Sequence, residues 1–135
     1  MSELLEQAKA LAPELVRWRR HIHENPEVSA VLPETCAYVT EELRKMGYEP
    51  YDVGGGVVAM LDGEPDGKVI LLRGDMDALP LTEESGEAFA SKNPGKMHAC
   101  GHDTHTAMLL GAAKLLMDNK EKVKGRVKFM FQPGE

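Results

Sequence analysis

Val69-Ile70-Leu71-Leu72-Arg73-Gly74-Asp75-Met76-Asp77 is the stretch whose reading decides the fold. Its four leading apolar residues form a short unbroken run, the pattern of a strand covered on both faces inside a mixed or parallel sheet. The run hands the chain directly to two aspartates spaced two apart. In open α/β sheets ligands bind beyond the carboxyl ends of strands, so Asp75 and Asp77 stand where chemistry is expected.

Working outward, the sequence predicts the order α-α-β-β-β-loop-α-β. Leu4, Ala8, Leu11, Leu15 and Ile22 recur at helical spacing with Pro13 inside the pattern, so a helix breaks or restarts there, with Pro13 in its first turn and its end before Asn25-Pro26. A second helix starts at Pro33, places Cys36, Val39, Leu43 and Met46 on one face, and stops at Gly47. Tyr48 to Val53 and Val57 to Leu61 read as strands joined by a tight turn at Gly54-Gly55-Gly56. Without GxGxxG or GK[ST], that glycine run is a hairpin rather than a phosphate loop. Apolar residues surround most of Thr104 to Asn119, a helix buried against a sheet with Asp103 as its N-cap. Val127 to Phe131 is the closing strand. The expected class is α/β, a mixed sheet flanked by helices.

Composition sets the outer limits. A chain of 135 residues fits a single core, and no repeat, low-complexity tract or linker divides it. Its 42% hydrophobic and 28% charged residues are ordinary for a globular domain, and no apolar run is long enough to span a bilayer. The net charge of −6, with both signs interleaved, argues against nucleic acid as a partner. Met1 to Lys9 does not read as a secretory signal, so a cytoplasmic location is expected. There Cys36 and Cys100 are expected as free thiols or metal ligands rather than a disulfide.

The chemistry concentrates in Asp75-Met76-Asp77, in His98-Ala99-Cys100-Gly101-His102-Asp103-Thr104-His105, and in Glu135. In an extended segment, residues two apart project to the same side, so Cys100 and His102 would point together, with Gly101 leaving the backbone room beside an ion. Thiolate and imidazole both suit zinc and similar metals, and Asp75 or Asp77 could ligate or hydrogen-bond a ligating histidine. Two other readings stand beside this one: Cys100 as a nucleophile paired with His102 or His105, or as a small buried apolar residue. Arg73-Gly74-Asp75 also spells an adhesion tripeptide, but it continues a buried strand where such a signal needs an exposed loop.

Arg73 to Pro80, Met97 to His105 and Phe131-Gln132-Pro133-Gly134-Glu135 resemble successive motifs of the aminoacylase-type metallo-amidohydrolases, a group with hippurate hydrolases, N-acetyl-diaminopimelate deacetylases and indole-acetyl-amino-acid hydrolases. Arg19-Arg20-His21-Ile22-His23-Glu24-Asn25-Pro26-Glu27 resembles the opening helix of the same family. The resemblance implies metal-dependent hydrolysis of the amide bond of a small N-acylated amino acid. It implies two divalent ions, zinc or manganese, with Cys100 and His102 as ligands and the Cys100 thiolate bridging. Glu135 matches the general base that takes the proton of the attacking water, and Asp77 matches the aspartate that supports the site from behind the ligands. His23, Asp75, His98 and His105 are near-site candidates without assigned roles.

By the same resemblance, residues 1–135 are the amino-terminal portion of a two-metal peptidase-like catalytic domain. The family's remaining ligands, later strands and lid or dimerisation domain are absent, and Gly134 stands where alanine is more usual. The chain alone is therefore expected to be inactive, with Val127 to Phe131 exposing an apolar edge open to self-association into a homo-oligomer. The alternatives are a dipeptidase or carboxypeptidase of the same superfamily, which usually has histidine where Asp75 stands, a cysteine-nucleophile hydrolase, and a truncated non-catalytic fragment.

Overall fold

Three helices precede the first strand. The computed structural model describes residues 2–134, and in it α1 (Ser2–Ala10) and α2 (Ala12–Glu24) are separated only by Leu11, with a proline in the first turn of α2. α2 ends before Asn25, and α3 (Pro33–Met46) runs from its proline to Gly47, as the local signals predict. β1 (Tyr51–Val53) and β2 (Gly56–Asp62) form the antiparallel hairpin around Gly54 and Gly55, with Tyr51 opposite Val58. β1 starts at Tyr51 rather than Tyr48, whose ring turns into the core and whose hydroxyl donates to the Ala113 carbonyl at 2.7 Å.

β3 (Glu64–Asp75), α4 (His102–Asp118), a 3₁₀ turn (Lys120–Lys122) and β4 (Lys124–Gln132) complete the chain. The sheet order is β1-β2-β4-β3, with β4 antiparallel to β2 and parallel to β3. Along β4, Val127, Phe129 and Phe131 are buried and Arg126, Lys128 and Met130 are not, the period of two of a strand covered on one face. Trp18 of α2, Val39 and Leu43 of α3, and Ala107, Leu110 and Ala113 of α4 join those β4 residues and Val57, Ala59 and Leu61 of β2 in one core cluster. The fold is thus α/β with a mixed sheet. Among the described residues, no helix is long and apolar enough to cross a membrane.

Two expectations about strands are corrected. Val69-Ile70-Leu71 is not covered on both faces: these residues are 60%, 56% and 53% exposed. Among the described residues β3 has β4 on one side only, and Val69 and Leu71 share a face with Arg126 and Lys128, away from the core. Conversely, Val127 to Phe131 is not the apolar edge, because β4 lies between β2 and β3. A continuous apolar run reports affinity for a covered surface, and the order of strands decides whether the cover is there.

Candidate metal centre

The carboxyl end of β3 meets the amino end of α4. Gly74 permits this approach, since a Cβ there would lie 3.1 Å from the His105 carbonyl oxygen and 3.3 Å from Leu109 Cδ2. The next residue, Asp75, is thereby set against the first turns of α4, where Thr106 Oγ1 donates to its backbone carbonyl at 2.7 Å.

His102 and His105 lie one turn apart on α4, and both face that aspartate. His105 Nδ1 is 2.7 Å from Asp75 Oδ1, His102 Nε2 is 3.4 Å from Asp75 Oδ2, and the imidazoles stack with centroids 5.6 Å apart. Asp75 and His102 are buried while His105 is exposed. Burial alone would push the Asp75 carboxyl up. The His105 hydrogen bond and the neighbouring His102 outweigh it and hold the carboxyl below its ordinary range.

Asp77 takes the other side of His102, whose Nδ1 lies 2.9 Å from both the Asp77 carbonyl oxygen and Asp77 Oδ1. A proton on Nδ1 satisfies that contact and leaves the Nε2 lone pair for an ion. One ligand atom each from Asp75, His102 and His105 fall within 4.8 Å of one another. A carboxylate and two imidazoles, one exposed and one backed by a second carboxylate, fit a divalent metal ion.

Cys100 stands differently from the expectation. Gly101 has φ of 102° and is the N-cap of α4, and His102 is the helix's first residue, so Cys100-Gly101-His102 is not extended and the period-two argument does not apply. Cys100 is an exposed free thiol and is not part of the Asp75, His102, His105 group. Asp103 is not the N-cap either: it is buried in the first turn. Glu135 lies outside the described residues.

Behind the first turn of α4 is a polar network. Asp103 Oδ2 is 2.8 Å from both His23 Nδ1 and Arg19 Nε, and His23 Nε2 is 3.0 Å from Glu83 Oε2. Burial acts to raise the Glu83 carboxyl, but hydrogen bonds from Ser85, His23 and the Ser91 backbone bring it down to about 2. His98 is 4% exposed, and neither ring nitrogen has a partner among the described residues. Burial, opposed by Asp103 and reinforced by His23 and His102, lowers it to about 4.

Of these participants, Arg19 and Glu83 had no expected place at the site, and Asp103 was expected only as a helix cap. The i, i+4 spacing of Arg19 and His23 puts them on one face of α2, and the i, i+3 spacing of His102 and His105 does the same on α4, both readable once the helices are assigned. Glu83 carries no such signal, because it sits in a long segment without regular structure.

Residues 71–135 match the model of Peptidase family M20/M25/M40. The chain is 44% identical to an N-acyl-L-amino acid amidohydrolase of Geobacillus stearothermophilus, over 96% of this chain and 37% of the relative. It is 47% identical to thermostable carboxypeptidase 2 of Saccharolobus solfataricus, over 98% of this chain and 36% of the relative. A solved dinuclear metal-binding peptidase of the M20 family from Bacillus subtilis superposes with a TM-score of 0.89 at 45% identity, covering 94% of this chain and 36% of that one. The chain thus spans about a third of the length of the curated relatives it matches.

Proposed function

We propose that the chain, whose residues 71–135 match the model of Peptidase family M20/M25/M40, belongs to that family and is the amino-terminal part of the catalytic domain of a metal-dependent amidohydrolase that cleaves N-acylated amino acids. The observation that carries the metal reading is the arrangement around His102: Nδ1 against Asp77, and Nε2 toward Asp75 beside His105.

In this reading the complete protein holds two divalent ions, zinc or manganese, with Cys100 and His102 among the ligands. Likeness to the dinuclear metal-binding peptidase of Bacillus subtilis supports the pair of ions and the convergent donors support His102, while Cys100 and the kind of metal rest on the family resemblance. Bound ions would supply Lewis acidity, making a water acidic enough to attack and polarising the amide carbonyl. Asp77 keeps the His102 ring turned and its Nδ1 proton engaged. Glu135 takes a proton from the attacking water and returns it to the leaving amine as the carbon–nitrogen bond breaks. A cytoplasmic site of action belongs to the same proposal and is supported by two free cysteines.

The carboxypeptidase reading has one observation in its favour, an identity of 47% to an enzyme of that name. Asp75, standing where that branch usually has histidine, favours the amidohydrolase. The complete protein separates the two when offered N-acetyl and N-benzoyl amino acids beside unblocked dipeptides, with and without a chelator. Chelator-sensitive release of acetate or benzoate is the expected result. Preferential cleavage of the dipeptides would favour the alternative, and undiminished turnover after metal stripping would defeat both.

A further inference from the structure

Resting on the metal-site reading above, we infer that His23 is a positioning residue for the His102 imidazole, acting through Asp103. His102 opens α4 directly after Gly101, whose positive φ places a pliable joint at the helix start and which, as N-cap, has no side chain to bond the first turn. Asp77 holds the tip of the His102 ring, but the ring's root would swing unless the first turn were fixed.

Asp103 fixes it. It is the next residue, only 1% exposed, and its carboxylate reaches back to α2 through His23 Nδ1 and Arg19 Nε, both at 2.8 Å. Its other oxygen accepts the Thr104 backbone N–H at 3.0 Å, and Thr104 Oγ1 closes the turn on the Gly101 carbonyl at 2.6 Å. A buried carboxylate keeps such partners because leaving them costs its solvation without return. His23 is in turn held at Nε2 by Glu83, so its ring cannot tilt away from Asp103. The chain of contacts Glu83, His23, Asp103 therefore anchors the root of His102 while Asp77 anchors its tip.

The two ring nitrogens of His23 can be separated by substitution. His23→Asn keeps an N–H donor near the Nδ1 position, toward Asp103, and His23→Gln keeps one near the Nε2 position, toward Glu83. Long-range ¹H–¹⁵N spectra of the metal-free chain report the protonation pattern of the His102 ring, and competition titration of the complete protein with zinc reports its affinity. The asparagine variant is expected to keep both the wild-type His102 ring signals and the zinc affinity. The glutamine variant is expected to lose the ordered Nδ1 signal and bind zinc roughly ten- to a hundred-fold more weakly. Equal behaviour of the two variants would overturn the proposal, because packing alone would then explain His23. Loss confined to the asparagine variant would overturn it in favour of the Glu83 contact. If the complete wild-type protein binds no zinc, the metal reading fails separately, and the ring spectra still decide the positioning role.

Discussion

Asp77 Oδ1 lies 2.9 Å from Nδ1 of His102, across 25 residues of chain that take in all but the first residue of the irregular segment between β3 and α4. The contact turns the opposite nitrogen toward Asp75. Asp77→Ala in the complete protein should therefore weaken metal binding by roughly ten- to a hundred-fold, read by chelator competition, without abolishing the fold. Unchanged affinity would remove Asp77 from the support of the site.

Cys100→Ala, also in the complete protein, should lower metal content together with turnover. The thiol is free and exposed here, available to an ion that residues beyond this chain would help to hold. Elemental analysis showing full occupancy in that variant would show that the thiolate is not a ligand.

For Glu135→Gln the expected outcome is different: normal metal content with turnover of N-acyl amino acids slower by roughly two orders of magnitude or more. A general base contributes to the chemical step and not to holding the ion. Near-normal kcat would take Glu135 out of the mechanism.

Stability should depend on pH through Glu42, which accepts from Arg17 at 2.7 Å, Trp18 Nε1 at 2.7 Å and Lys45 at 2.9 Å. Burial acts to raise its carboxyl, but the three donors bring it from 4.5 to about 2. Because the folded value lies below the unfolded one, the stabilisation is complete above about pH 4.5 and is lost as pH falls toward 2. Glu42→Gln should cost about 2 kcal/mol in urea unfolding at pH 7, a figure discounted because Arg17 and Lys45 are half-exposed. That gap should close as the acid range is entered. A gap independent of pH would mean that the ionised carboxylate is not its source.

The chain by itself should not hydrolyse N-acyl amino acids, and it should self-associate through β3, where Val69, Ile70 and Leu71 are exposed on an edge strand. Sedimentation of the wild type beside a Val69→Lys, Leu71→Lys variant tests the second point: the variant should be the more monomeric. Identical association would place the contact elsewhere. Metal-dependent turnover by the chain, absent from a Cys100→Ala control, would contradict the first point.

The sequence by itself determined the elements whose signals are local. Pro13 and Pro33 mark helix starts, Asn25-Pro26 and Gly47 mark helix ends, and the glycines at 54 and 55 mark the hairpin, because each acts on the backbone of its own neighbourhood. It also marked the segments that carry the chemistry, since carboxylates, imidazoles and a thiol crowded beside apolar runs are chemically conspicuous. Only the tertiary structure decided that β4 is interior and β3 an edge, that Gly101 turns Cys100 and His102 out of line, and that His102 is grouped with His105 and Asp75. The links that orient the site join residues 25, 30, 60 and 80 positions apart, as in Asp77–His102, Asp75–His105, His23–Glu83 and His23–Asp103. Local backbone preference carries no information about such partners. They are selected when burial strips water from each polar group and leaves it only the neighbours that packing has brought within reach.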